Sequence, residues 1–66
     1  MQEKFIEFDG QLINVKEIIS VEKVTDTYKG QYGICVNIRN YNYRQEWFKT
    51  KEERDRRFNE IKEDLC

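Results

Sequence analysis

The stretch from Tyr41 to Leu65 constrains the fold more than any other, because its hydrophobic period changes midway. Tyr41, Tyr43 and Trp47 share one parity, with polar Asn42, Arg44 and Glu46 on the other. That alternation predicts a strand over Tyr43 to Lys49. Thr50-Lys51-Glu52-Glu53 then has the form of a capping box, and Phe58, Ile61 and Leu65 follow at helical spacing. Sheet must therefore give way to helix at Thr50. In such a box the Thr50 hydroxyl accepts from the Glu53 amide, and the Glu53 carboxylate accepts from the Thr50 amide. Glu52, Glu53 and Asp55 lie near the positive end of the helix dipole, which favours them.

Upstream, the chain contains no proline to break strands. Lys4 to Phe8 predicts a first strand, with Ile6 and Phe8 on one face and Phe5 on the other. Asp9-Gly10 is a turn signal, and Leu12 to Val15 continues as a short second strand. Asn14 to Glu17 reads equally as a bend or a single helical turn. Ile18 to Val24 is the next strand; its apolar residues fall on both parities, which implies burial on two sides or a bulge. Thr25 to Gly33, polar and holding Gly30 and Gly33, reads as a mobile hairpin loop. Ile34, Val36 and Ile38 alternate with Cys35, Asn37 and Arg39 as a half-buried strand, and Arg39 to Asn42 turns the chain. The expected fold is α+β: a small antiparallel meander of three to four strands packed against one C-terminal helix. Residues 1–66 form a single domain. The narrow stripe of Phe58, Ile61 and Leu65 is expected to pack on Ile34, Val36 and Ile38, with Phe58→Ala costing roughly 3–5 kcal/mol.

A chain of 66 residues buries only roughly 60% of its unfolded surface, so a disulfide, a metal or a second chain usually adds stability. Cys35 lies inside a predicted strand and Cys66 at the end, and two thiols so placed fit a reducing cytoplasm. With no histidine and no paired thiol spacing, no metal or other cofactor is expected. Oligomerisation is the remaining helper. Twelve Lys and Arg against thirteen Asp and Glu give a formal net charge of −1, without the one-sided basic field of a general nucleic-acid binder. No apolar run approaches the roughly 18 residues of a membrane span. Met1-Gln2-Glu3-Lys4 lacks the basic start of a signal peptide, and a cytoplasmic, soluble chain is expected.

The stretch Glu46-Trp47-Phe48-Lys49-Thr50-Lys51-Glu52-Glu53-Arg54, with Phe58 and Ile61 on the packing face, resembles the C-terminal end of pleckstrin-homology domains. There a last aromatic strand leads into a capped helix. The resemblance covers about a third of the chain, which has no room for all the strands of that family. Asp9-Gly10-Gln11 carries no lysine or arginine, so binding of phosphoinositide headgroups does not follow from the resemblance. The small meander with one helix also looks like several short bacterial and phage proteins.

Catalytic constellations are absent from the pattern. Cys35 has no histidine to activate it. The carboxylates Glu52, Glu53, Glu60, Glu63 and Asp64 interleave with Lys51, Arg54, Arg56, Arg57 and Lys62 as a solvated helix face. Gly30-Gln31-Tyr32-Gly33 is too short for a phosphate loop and reads as loop flexibility. The residues with most to offer a ligand are Tyr28, Tyr32, Arg39, Tyr43, Arg44 and Trp47, with Tyr41 and Lys29 beside them. Aromatics stack on bases, and arginine pairs with phosphate; the same aromatics also suit a sheet face or a protein interface. The expectation is a non-enzymatic interaction module that self-associates into a homo-oligomer. A small nucleotide-like ligand, or a different protein partner, is the alternative, and single-stranded nucleic acid ranks behind both.

Overall fold

Alternation decides which side of each strand turns inward, and the computed structural model describes this for residues 3–40 and 42–66. Met1, Gln2 and Tyr41 lie outside the described residues. So do the expected parity of Tyr41 and the third position of the turn it occupies. Strand β1 (Phe5–Phe8) pairs antiparallel with β2 (Gln11–Asn14). Asp9 and Gly10 join them with φ of 53° and 73°, the left-handed pair that a two-residue hairpin requires. A single 3-10 turn at Val15–Glu17 follows, started by the Asn14 side chain, which accepts from the Lys16 amide at 2.9 Å. The ambiguity at Asn14 to Glu17 is thus resolved as a helical turn.

Strands β3 (Ile18–Asp26), β4 (Gln31–Ile38) and β5 (Asn42–Phe48) form an antiparallel meander, and helix α1 (Lys51–Leu65) closes the chain. The fold is α+β, with the first hairpin forming a sheet of its own beside the three-stranded meander. A register shift between Ile18 and Ser20, where the strand bulges, lets both Ile18 and Val21 pack against the core, while Val24 lies on the opposite face. The mobile loop expected over Thr25 to Gly33 is a tight turn. Pairing continues to Asp26 opposite Gln31, and the Asp26 carboxylate accepts from the Tyr28 and Lys29 amides, each at 3.1 Å. Those side-chain bonds replace the mobility that polar composition had suggested.

The core lies between the two sheets and the helix. Ile6, Phe8 and Ile13 from the hairpin meet Ile34 and Val36 of β4 and Ile61 of α1, all buried. Ile34 and Val36 share the buried core with Ile61 as expected, and Ile38 lies at its margin, whereas Phe58 and Leu65 sit beside Val21 of β3. Phe58 is only half-buried, so its truncation costs less than that of a fully packed ring. Ile61 is the deeply buried position of the stripe, and burying it contributes about 2 kcal/mol.

Arg54 corrects the solvated-face reading of the helix. It is 5% exposed and occupies the buried stripe one turn before Phe58. Its Nη1 donates to the Val24 carbonyl at 3.1 Å and its Nε to Asp55 at 2.8 Å. Its guanidinium lies 5.5 Å from the centroid of the Tyr32 ring. A buried guanidinium survives because each of those contacts replaces lost water. The capping box also forms with one change. The Glu53 amide donates to the Thr50 hydroxyl at 3.2 Å, and that hydroxyl, not the Thr50 amide, donates to the Glu53 carboxylate at 3.0 Å.

Candidate functional site

The helix and the hairpin cover one face of the meander, and the strand register assigns the other. Val24, Gly33 and Trp47 are opposite one another across three strands, followed by Glu22, Cys35 and Gln45, then Ser20, Asn37 and Tyr43. These rows form the outer face, opposite the core side that the helix and hairpin cover. Trp47 is 39% exposed and Tyr43 57%. Polar groups hold one another beside them: Asn37 Nδ2 donates to Ser20 at 2.9 Å and to Glu22 at 2.7 Å.

Gly33 is the hinge of this surface, and its reading as loop flexibility is replaced. It lies within β4 and is buried. A Cβ there would stand 2.7 Å from Trp47 Cε3 and 2.9 Å from Val24 Cγ2. The six-membered ring of the indole thus occupies the space a side chain at residue 33 would need, and the glycine lets Trp47 approach the strand closely.

Three of the six expected ligand-contacting residues come together. Tyr43, Arg44 and Trp47 line a shallow, solvent-open groove along the outer edge of β5, with Asp9, Gln11, Asn42 and Gln45. Arg44 is held there by Gln11, whose Oε1 accepts from Nε at 2.8 Å, and by the Tyr43 carbonyl at 2.9 Å. Glu46 anchors the same edge. It accepts from the Asp9 amide at 3.0 Å and lies 3.6 Å from Arg57 Nε. Arg57 in turn donates to the Glu7 carbonyl. The hairpin tip is thereby tied to β5 through charge-assisted bonds.

The other three residues sit elsewhere. Tyr28 is fully exposed at the β3–β4 turn. Tyr32 supports Arg54 on the helix-covered face. Arg39 lies in the β4–β5 turn, 3.4 Å from Glu17, with both side chains largely in solvent. Such an exposed pair contributes little. Sequence reasoning passed over Glu46, Gln45 and Arg54. The spacing Arg54, Phe58, Ile61, Leu65 carried the signal for the last of these.

Asp55 is the described ionisable group with a displaced equilibrium. The hydrogen bond from Arg54 pulls its carboxyl below the ordinary aspartate range, against the opposing effect of desolvation, and Lys23 at 3.3 Å adds to the downward pull. Cys35 is half-buried on the outer face, with its thiol 3.8 Å from Asn37 Oδ1. Among the described residues, no group of three or more acidic or thiol side chains is placed to hold a metal ion. No helix of the described residues is long and apolar enough to cross a membrane. Comparison of the chain with protein-family models, curated proteins and solved structures finds no match in any of the three.

Proposed function

We propose that this chain is a non-enzymatic interaction module that self-associates into a homo-oligomer through the β3–β4–β5 sheet. The observation that carries the reading is the pair Trp47 and Tyr43, held on an uncovered sheet face beside the unpaired edge of β5. Aromatic side chains presented this way supply large contact area at small entropic cost. The overall dimensions agree with it. The accessible surface is 5155 Å², against about 4500 Å² for a compact monomer of 8.1 kDa. The radius of gyration is 12.1 Å, where about 11 Å is expected of a compact chain this long. Light scattering on the reduced protein tests the proposal. A defined oligomer at high micromolar concentration is expected, and a monomer with a cooperative melt refutes it.

The convergence of Tyr43, Arg44 and Trp47 in one groove favours a second reading, a small nucleotide-like ligand stacked on the aromatics with its phosphate on Arg44. That reading requires Trp47 fluorescence to respond to a nucleotide panel and Arg44→Ala to weaken the response. Flat titrations with every nucleotide remove it. Binding of single-stranded nucleic acid would additionally need an affinity that falls steeply with salt.

A further inference from the structure

Resting on the self-association reading, we infer its geometry: β5 pairs antiparallel with β5 of a second copy about a two-fold axis through Gln45. Strand β5 has a strand neighbour on one side only, and its other flank opens onto the groove of Asn42, Tyr43, Arg44, Gln45 and Trp47, which Asp9 and Gln11 of the hairpin border from the helix-covered side. An open flank carries unpaired backbone donors and acceptors, which a second strand satisfies. Gln45 is the middle residue of Asn42–Phe48. An antiparallel partner centred there sets Arg44 opposite the partner's Glu46 and Tyr43 opposite the partner's Trp47, and symmetry makes each pair twice.

The strand is therefore complementary to itself in this register. Opposite charges and aromatic pairs directly across a strand pair are each favourable, whereas like charges directly across are not. Moving the axis by one residue shows how narrow the choice is. Centred on Arg44, the two arginines face each other; centred on Glu46, the two glutamates do. With the axis at Gln45, the two meanders merge into one continuous sheet with both helices on the same face. Trp47 and Tyr43 of each copy then cross the junction on the outer face. The other edge of the meander, β3, is bulged between Ile18 and Ser20, which twists it away from such pairing.

Charge reversal tests the register. Arg44→Glu makes that part of the strand acidic and Glu46→Arg makes it basic, so each variant alone is expected to lose dimer mass by light scattering, with Kd raised at least tenfold. An equimolar mixture of the two variants should recover the dimer at one-to-one composition, because the acidic strand then faces the basic one. Arg44 and Glu46 also hold the hairpin, so circular dichroism melts accompany each variant. A second measurement does not depend on these charges. Gln45→Cys in a Cys35→Ser, Cys66→Ser background places two thiols across the axis, at a Cα separation of about 4.5–5.5 Å, which a disulfide spans. Rapid oxidation to a covalent dimer by Gln45→Cys, and not by a control Tyr28→Cys, supports the register. A wild-type dimer whose mass ignores both charge reversals, or whose Gln45→Cys form resists crosslinking, overturns the register and leaves self-association through another surface. A wild-type monomer at every concentration overturns both.

Discussion

Gly33→Ala tests the arrangement of the outer face most directly. The backbone at Gly33 lies outside the left-handed region, so alanine meets no conformational barrier there. Reducing the freedom of the unfolded chain would by itself stabilise the protein by about 0.4–1 kcal/mol. The methyl, however, would stand 2.7 Å and 2.8 Å from two carbons of the Trp47 ring and 2.9 Å from Val24 Cγ2. Favourable carbon–carbon contact begins at about 3.5 Å, so the ring must retreat by roughly 1 Å. Val24 is β-branched and stiff, so little of that adjustment can come from its side. Overpacking of this kind costs about 1–3 kcal/mol, and after the entropic gain the net effect should be a destabilisation of up to about 2.6 kcal/mol. Urea unfolding followed by circular dichroism measures it, and Trp47 emission should shift to the red as the ring is pushed into water. In a Trp47→Ala background the ring's share of the penalty should vanish while that of Val24 remains, which a double-mutant cycle reads as coupling. If Gly33→Ala is stabilising in the parent chain, the indole does not lie on Gly33 and the reasoning fails.

Ile61→Ala removes the buried helix side chain and should cost about 2–5 kcal/mol, enough to lower the urea midpoint sharply; an unchanged midpoint would mean the helix is not docked through this residue. Arg54→Met keeps the stem but deprives the Val24 carbonyl and Asp55 of their donor, for an expected loss of about 1–3 kcal/mol by thermal melting, and a wild-type melt would show the guanidinium to be dispensable. Thr50→Ala should cost about 0.5–2 kcal/mol through loss of the helix cap, with helix content at 222 nm as the readout. The Asp55 carboxyl is held below its ordinary range by Arg54 first, so the unfolded chain takes up the proton before the folded one. Its contribution is therefore complete above the ordinary aspartate pKa and is lost as pH falls through the lowered folded value. Asp55→Asn should flatten the acid limb of stability in that window, and an unaltered limb would count against the ion pair.

Local periodicity made much of this fold legible. The parity of Ile6 and Phe8, the Asp9-Gly10 turn and the alternation of Ile34, Val36 and Ile38 each depend on neighbours within a few residues. The structure follows them closely. Other features needed contacts far apart in the chain. Arg54 reads as solvated when charge alone is considered, because its partners Val24 and Tyr32 lie in other strands. Gly33 reads as loop because a glycine carries no side chain to show a face, and only Trp47 across the ladder gives it a role. Which expected ligand residues converge was hidden for the same reason. Tyr43, Arg44 and Trp47 belong to one strand and meet at one groove, while Tyr28, Tyr32 and Arg39 lie beyond it.

The separation into two sheets ties folding to the proposed assembly. Ile6, Phe8 and Ile13 are half of the buried apolar core, yet a two-stranded hairpin is marginal alone, so its docking must supply what its own pairing lacks. Its apolar docking is on β4 and α1, and its polar docking runs through β5: Arg44 holds Gln11, and Glu46 holds the Asp9 amide and Arg57. The same two side chains would face a second copy across the strand edge. A partner that fixes their positions reduces the entropy lost when the hairpin docks, and a docked hairpin presents them ready for the partner. Association would then stabilise the folded chain by mass action, and the melting midpoint should rise with protein concentration. In Arg44→Glu it should become independent of concentration, while the equimolar mixture with Glu46→Arg restores the dependence. A concentration-independent midpoint in the parent chain would separate folding from assembly and break this link.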